Sequence, residues 1–546
     1  MKSFGAASST RWRCCVLILC TAILGALLRI PRLSQRPMHG DEAVHAEKFR
    51  LLLEEGSYQY DPNEYHGPTL NYLSLVPARL SCAHELTQVT EFTLRIVPVF
   101  FGVLLVVMVL LVAEGLGIAA AVYAAVLVAI SPAMVFYSRY YIQEMLLVCF
   151  TFGVIACGYR YVASKEAAWA ISAGAFAGLM HATKETCIIA FGSMLLALLL
   201  TLLISRRQED FVLAGVKAIK PRHLIAGLVA AAAVSALFHS SFLANPRGIL
   251  DSILTYKRYF SRASGNALHI HPWYYYLKML IFSKYGSGPI WSEAVIVLLA
   301  VAGFIVAMTR KGLSTVDGRL VRFVAFYTLI MTVVYSAIPY KTPWCMLGFL
   351  HGMTLLAGVG AAALVRLVPN VLPRLIVLCL LLEACVHLGW QTYLCSYKYY
   401  ADSRNPYVYA HPTTDVFTIA QQLEQYAAVH KDGHNIPIQV ICPGDDYWPL
   451  PWYLRFFSNV SWCSKVPDTV GPLIIASAAV EADLTNKLYV ETPRQERKMY
   501  LYLFDEPYYV WLRPKVKLTG FVSKDLWDRC YGGPDPNDFT NKAGDK

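Results

Sequence analysis

The chain has 546 residues, 56% of them hydrophobic and 16% charged, with a formal net charge of +11 at pH 7. So apolar a composition excludes a soluble multidomain protein and points to a polytopic membrane protein. The basic residues are dispersed among apolar stretches and form no patch with interleaved aromatics, which excludes nucleic acid as a partner and leaves the lipid bilayer.

In chain order, apolar runs long enough, or nearly so, to cross ~30 Å of hydrocarbon lie near residues 14–30, 94–113, 117–133, 143–162, 167–180, 187–204, 223–243, 291–308, 321–338, 345–365 and 373–391. Hydropathy thus predicts about eleven transmembrane helices. Arg11 and Arg13 ahead of the first run mimic a signal peptide, but no small-x-small cleavage site precedes Pro31, so this run reads as an uncleaved first span. Lys220 and Arg222, then Arg310 and Arg319, then Arg366 and Arg374 place their connections, and the N-terminus, in the cytoplasm. The expected product is a multi-pass cell-membrane protein with the intervening loops and everything after about Tyr393 extracytoplasmic.

The first outer loop, Met38 to Pro68, gathers Asp41, Glu42, His45, Asp61, Glu64 and His66 in a chain poor in charge. Gly40 breaks the preceding structure, so Asp41 and Glu42 fall at the start of a helix, where acids meet the positive end of the dipole. Capping alone accounts for that placement. Asp41, His45 and Lys48, at i, i+4 and i+7, also share one helical face, which capping does not require. Three more polar clusters come out on the same side: Ser138 to Glu144, His181 to Thr186, and Tyr340 to Trp344. One ionisable residue at a membrane edge is commonly a snorkelling anchor, but four clusters converging on one face point to a site. Between Asn245 and Pro289, Trp273 and Tyr274 to Tyr276 read as an interfacial aromatic belt, while His269 and His271, at i and i+2, have the spacing of metal ligands on a strand.

Beyond the last span the composition shifts. A helix over 413–429 and strands over 436–442, 473–477 and near 500–504 and 508–512 predict a small α/β domain. Residues 1–395 are therefore assigned to the membrane module, 396–531 to an extracytoplasmic α/β domain, and 532–546, rich in Gly, Pro, Asp and Asn, to a disordered tail. Of the fourteen cysteines, those in the spans read as small hydrophobes, whereas Cys442 and Cys463 are able to pair in an oxidising compartment. The aromatic run Tyr447 to Tyr453 suits either an acceptor surface or packing onto the membrane module.

Carboxylates on the first loop, with Lys184, Lys341 and Arg139 from later clusters, form a sensible kit for moving a sugar from a phosphate leaving group. The donor phosphate needs cations or a divalent metal ion, the acceptor hydroxyl needs a general base, and a single displacement inverts the anomeric centre. The rival is a flippase or flippase-associated protein handling lipid-linked sugars, which needs polar residues in mid-span; Glu114, Glu383 and His387 are the candidates.

Asp41-Glu42 directly after the first span, with a long outer loop and about eleven spans, resembles the GT-C superfamily of polyprenyl-phosphate-sugar glycosyltransferases. That superfamily includes the protein O-mannosyltransferases of glycosyltransferase family 39 and the aminoarabinose transferases of lipid A. More narrowly, the strings His39 to Ala46, Tyr58 to Pro68, Ser138-Arg139-Tyr140, Thr183-Lys184-Glu185 and Tyr340 to Trp344 resemble the flippase activity-associated family grouped with archaeal N-glycosylation, along essentially the whole chain. The resemblance implies a mainly α GT-C bundle with an extracytoplasmic domain, and a sugar passed from a polyprenyl-phosphate donor to a glycan, lipid or protein acceptor. It implies Asp41 as base or metal-associated acid, Glu42 as its neighbour, Glu144 as a second acid, and Lys184 and Lys341 as donor-phosphate contacts. His45, Tyr65, His66, Arg139, Tyr140, Glu185, Tyr340 and Trp344 complete the substrate-binding set. Asp41, His45, His66 and Glu144 are the candidate ligands for a divalent metal ion. The second outer loop departs from the pattern, carrying Gln143-Glu144 where related enzymes often show Asp.

Overall fold

The computed structural model describes residues 2–63, 66–206, 220–265, 269–310 and 316–532. Tyr65 and Glu64 of the first loop, and the tail from 533, lie outside the described residues.

Each predicted apolar run is helical, and proline and glycine decide where the helices start and turn. The first is α1 (Lys2–Leu27), followed by the short α2 (Gly40–Glu54) and α3 (Thr69–Leu80). The bundle continues with α4 (Glu91–Met108), α5 (Ala113–Leu116), α6 (Ile118–Ile130), α7 (Pro132–Ser138), α8 (Glu144–Ser164), α9 (Ala167–His181) and α10 (Cys187–Arg206). Next come α11 (Pro221–His239), α12 (Arg247–Gly265), α13 (Tyr275–Ile281), α14 (Ala294–Thr309), α15 (Gly318–Ala337), α16 (Leu347–Leu367) and α17 (Val371–Tyr393). Among the described residues, seven helices are long and apolar enough to cross a membrane, or eight if the bent pair α6 and α7 is one span, while α9 and α14 are shorter. The protein is multi-pass; the expected count of eleven is not reached by this measure.

The α6–α7 break shows how the bundle pays for irregular backbone. Pro132 has no N–H to give to Val128, and the Ala133 N–H is diverted to Glu293 at 2.9 Å, so two carbonyls are orphaned inside the protein. Arg29, at the end of α1 and fully buried, supplies the missing donors: 3.0 Å to the Val128 carbonyl and 2.9 Å to that of Ala129, with Ser138 Oγ at 2.8 Å. The 56° bend carries α7 to the end of the bundle that holds α2.

After α17, helix α18 (Asp415–Val429) and a six-stranded mixed sheet form the C-terminal domain, in the order β2-β1-β3-β6-β4, with β5 also on β6. Strands β1 (Ile438–Ile441), β2 (Val460–Cys463) and β3 (Leu473–Ser477) are parallel; β4 (Tyr500–Tyr502), β5 (Tyr509–Arg513) and β3 pair antiparallel with β6 (Val516–Ser523). Sequence reading missed β2, a short exposed edge, and β6, which Gly520 interrupts. That glycine is needed because a Cβ there would lie 2.7 Å from Leu503 Cβ. Cys442 and Cys463 end adjacent strands, both as free thiols.

Candidate functional site

The two acids after the first span part company. His39 caps α2, accepting the Asp41 N–H on Nδ1 at 3.0 Å, while the His39 N–H donates to Glu42 Oε2 at 3.0 Å. Glu42 points inward and has no exposed surface. Arg95 holds it in a two-pronged ion pair at 2.7 and 2.8 Å, Arg36 adds a bond at 3.2 Å and the Tyr141 N–H one at 2.8 Å. Burial opposes its charge, but Arg95 and Arg36 outweigh burial and bring its pKa down to about 2. Asp41 points outward, its side chain 51% exposed and 3.8 Å from His39 Nδ1. Glu42 is thus a strut that fixes the first turn of α2, and Asp41 is the acid left pointing outward.

His45, one turn on, is buried beside Gln143, whose amide lies 3.4 Å from its Nδ1. Burial above all, with His66 and Lys184 nearby, brings its pKa down to about 3 against the pull of Asp41 and Glu42, so the ring is neutral. His66 sits on Glu185, Nδ1 to Oε2 at 2.7 Å, and the Tyr60 hydroxyl donates to Glu185 Oε1 at 3.2 Å. Burial disfavours the Glu185 carboxylate, but His66 offsets it and lowers its pKa to about 2. The segment after His66 is stapled to the turn after α9 by the Thr69–Thr183 hydroxyl pair at 2.8 Å, and Gly67 passes so close that a Cβ would lie 2.1 Å from the Ala182 carbonyl oxygen. Gly67→Ala is accordingly expected to lower Tm by several degrees, read by thermal unfolding.

Beside this loop opens a slot between α8, α10, α15 and the start of α16. Its mouth is polar: Glu144, the first residue of α8, pairs with Lys184 next to Trp344. Farther along the helices the lining is mostly apolar, with Leu147, Val148, Ala190, Met331 and Leu347, and includes Thr151, Tyr327 and Tyr335. Trp344 packs on His39 at 5.7 Å and Tyr140 at 5.9 Å, which joins the slot to the turn carrying Asp41. Tyr340 lies in the field of all three charges, since after burial its hydroxyl pKa is raised by Asp41 and Glu144 and lowered by Lys184.

The structure superposes on ArnT from Cupriavidus metallidurans in the apo state with a TM-score of 0.61 and 15% identity, covering 95% of this chain and 99% of that one. The same protein bound to undecaprenyl phosphate gives 0.59 at 15% identity, with coverages of 94% and 98%. The chain has the GT-C fold. The Archaeoglobus fulgidus oligosaccharyltransferase, in its apo form, shares this GT-C core at a TM-score of 0.53 and 12% identity, over 86% of this chain and 70% of that one. Residues 75–239 match the sequence-family model described as dolichyl-phosphate-mannose-protein mannosyltransferase, and no curated protein matches the chain.

Within the GT-C module the remaining expected site residues divide. Arg139 is turned away from the slot and spends its donors on the carbonyls of Arg29, Pro31 and Arg32 at 2.6 to 3.2 Å. Tyr140 is fully buried, its ring 4.3 Å from the Arg36 guanidinium. Lys341, also buried, donates from Nζ to the carbonyls of His271 (3.2 Å) and Ile338, holding the 269–271 segment at the mouth. Among the described residues no three His, Cys, Asp or Glu side chains gather in a metal-binding group. Of the four candidate ligands, Glu144 is tied to Lys184, His66 to Glu185 and His45 to Gln143; this donor set does not fit a divalent ion.

Sequence reading missed Arg36, Arg95 and His411. Arg95 had a signal, since a lone arginine inside an apolar run requires a buried partner. His411 had none: it reaches His39 (5.1 Å) and Tyr140 (5.1 Å) only because the chain returns from α17 across the mouth. The Tyr447–Tyr453 run packs the C-terminal domain onto the membrane module. Trp452 Nε1 donates to Glu91 at 2.8 Å and the Tyr453 hydroxyl accepts the Met38 N–H at 2.8 Å, docking the domain, while Tyr447 and Trp448 stay half-buried, with Trp448 against Gly40.

Proposed function

We propose that this chain is an integral-membrane glycosyltransferase that moves a sugar from a polyprenyl-phosphate donor to an acceptor at the extracytoplasmic face, with Asp41 as general base. The observation that carries the proposal is the slot: charged at its mouth by Glu144 and Lys184, mostly apolar farther along, and opening beside the α2 turn that presents Asp41. A lipid phosphate matches that division, its isoprenoid chain along Leu147, Met331 and Leu347 and its phosphate sharing Lys184 with Glu144. The undecaprenyl phosphate in the ArnT structure of the same fold supports this ligand class.

In the proposed reaction the acceptor hydroxyl attacks the anomeric carbon while Asp41 takes its proton. The bond from that carbon to the phosphate oxygen breaks on the opposite face, its electron pair leaves with the lipid phosphate, and Lys184 compensates the charge that grows there. Configuration at the anomeric centre inverts. No step is routed through a metal.

The test is undecaprenyl phosphate binding to the full chain in lipid nanodiscs. Lys184→Ala is expected to weaken it by roughly ten- to a hundredfold, the worth of one charge-assisted hydrogen bond of about 1.5–3 kcal/mol. Unchanged affinity would remove Lys184 and the slot from donor binding.

A further inference from the structure

Helix α17 stands almost alone. Six per cent of the residues in its apolar window are buried, against 83% in the span that contains α16, and within it only Leu388, Gln391 and Thr392 are buried. Its hydropathy nevertheless makes it a membrane span. In the middle of the uncovered side sit Glu383 and His387, one turn apart and exposed. Neither has a hydrogen-bond or ion-pair partner among the described residues. Both side chains therefore face away from the rest of the bundle.

An acid and an imidazole facing hydrocarbon are costly. An acidic side chain at the centre of a spanning helix disfavours insertion, and such residues normally face protein or water. Their surroundings on α17 are patterned. Leu372, Ile376, Cys379, Glu383, Val386 and Trp390 recur at alternating steps of four and three, and all are exposed. Other exposed residues of α17 are apolar as well, and what sets this stripe apart is that Glu383 lies on it at the spacing by which two helices pack along a seam, where one polar residue fixes register and partner number.

We propose that the α17 seam is the contact between two copies of this chain in the membrane. The seam is complementary to itself: in a two-fold dimer with parallel α17 helices, the Glu383 carboxylate of each copy comes within one turn of His387 in the other, so the same hydrogen bond forms twice. An imidazole N–H donating to a carboxylate across a helix pair is the kind of bond that drives association where lipid supplies no hydrophobic force. A partner of another sequence would need its own matching pair; a second copy already has it.

The same register brings Cys379 of each copy into one layer of the seam, which provides the test. Native membranes containing the full chain are treated with copper phenanthroline and the product is read on a non-reducing gel, while copy number in vesicles is counted by single-molecule photobleaching. The expected result is a covalent homodimer that disappears in Cys379→Ser, and a dimer fraction that falls at least tenfold in Glu383→Leu with His387→Leu. Undecaprenyl phosphate binding serves as the folding control and stays unchanged in those variants. Single copies throughout, a cross-link to a different protein, or a dimer indifferent to the double substitution would each overturn the proposal.

Discussion

Asp41→Asn is expected to lower sugar transfer by about 10²- to 10⁴-fold, the usual range for losing a general base, with little change in Tm or donor affinity. The reason is geometric. The Asp41 side chain is half exposed and takes no part in the buried Glu42 network, so an amide of the same shape leaves α2 in place. What the amide lacks is the ability to accept a proton as the acceptor oxygen attacks. Single-turnover transfer in nanodiscs, with undecaprenyl phosphate binding alongside, checks this; transfer near the wild-type rate with intact donor binding would remove Asp41 from the proposed mechanism.

Glu42→Gln is expected to do the opposite, destabilising the protein by about 3–5 kcal/mol by leaving Arg95 and Arg36 buried without their counter-charge. The pH dependence has a definite sign. The folded carboxylate has a pKa of about 2 against an ordinary 4.5, so it contributes stability that is complete above about 4.5 and is lost as pH falls through about 2. A shift of this size is worth about 3 kcal/mol. Wild-type Tm should therefore drop between pH 4.5 and 2, and Glu42→Gln should start lower and show a shallower drop. Equal Tm values at pH 7 would contradict the account of Glu42 as a strut.

The contrast between these neighbours shows what could and could not be read from the chain. A pair of acids at the start of a helix is visible in the sequence, but which one is buried depends on Arg95, more than fifty positions away. Lys184 was legible because a lysine between two apolar runs is conspicuous; Arg139, equally conspicuous, proved to hold carbonyls of the chain after α1. Both are cations at a membrane edge, and only the position of the broken α6–α7 helix separates them.

Hydropathy and charge along the chain determined the helices, the run of polar clusters between them and the existence of a separate C-terminal unit, because these follow from local length and periodicity. Tertiary structure decided which of two adjacent carboxylates points outward, that Glu144 and Lys184 share one slot, and that Glu383 and His387 face outward. Those outcomes depend on which distant side chain arrives to satisfy a buried charge or an orphaned carbonyl, and neither hydropathy nor spacing encodes that.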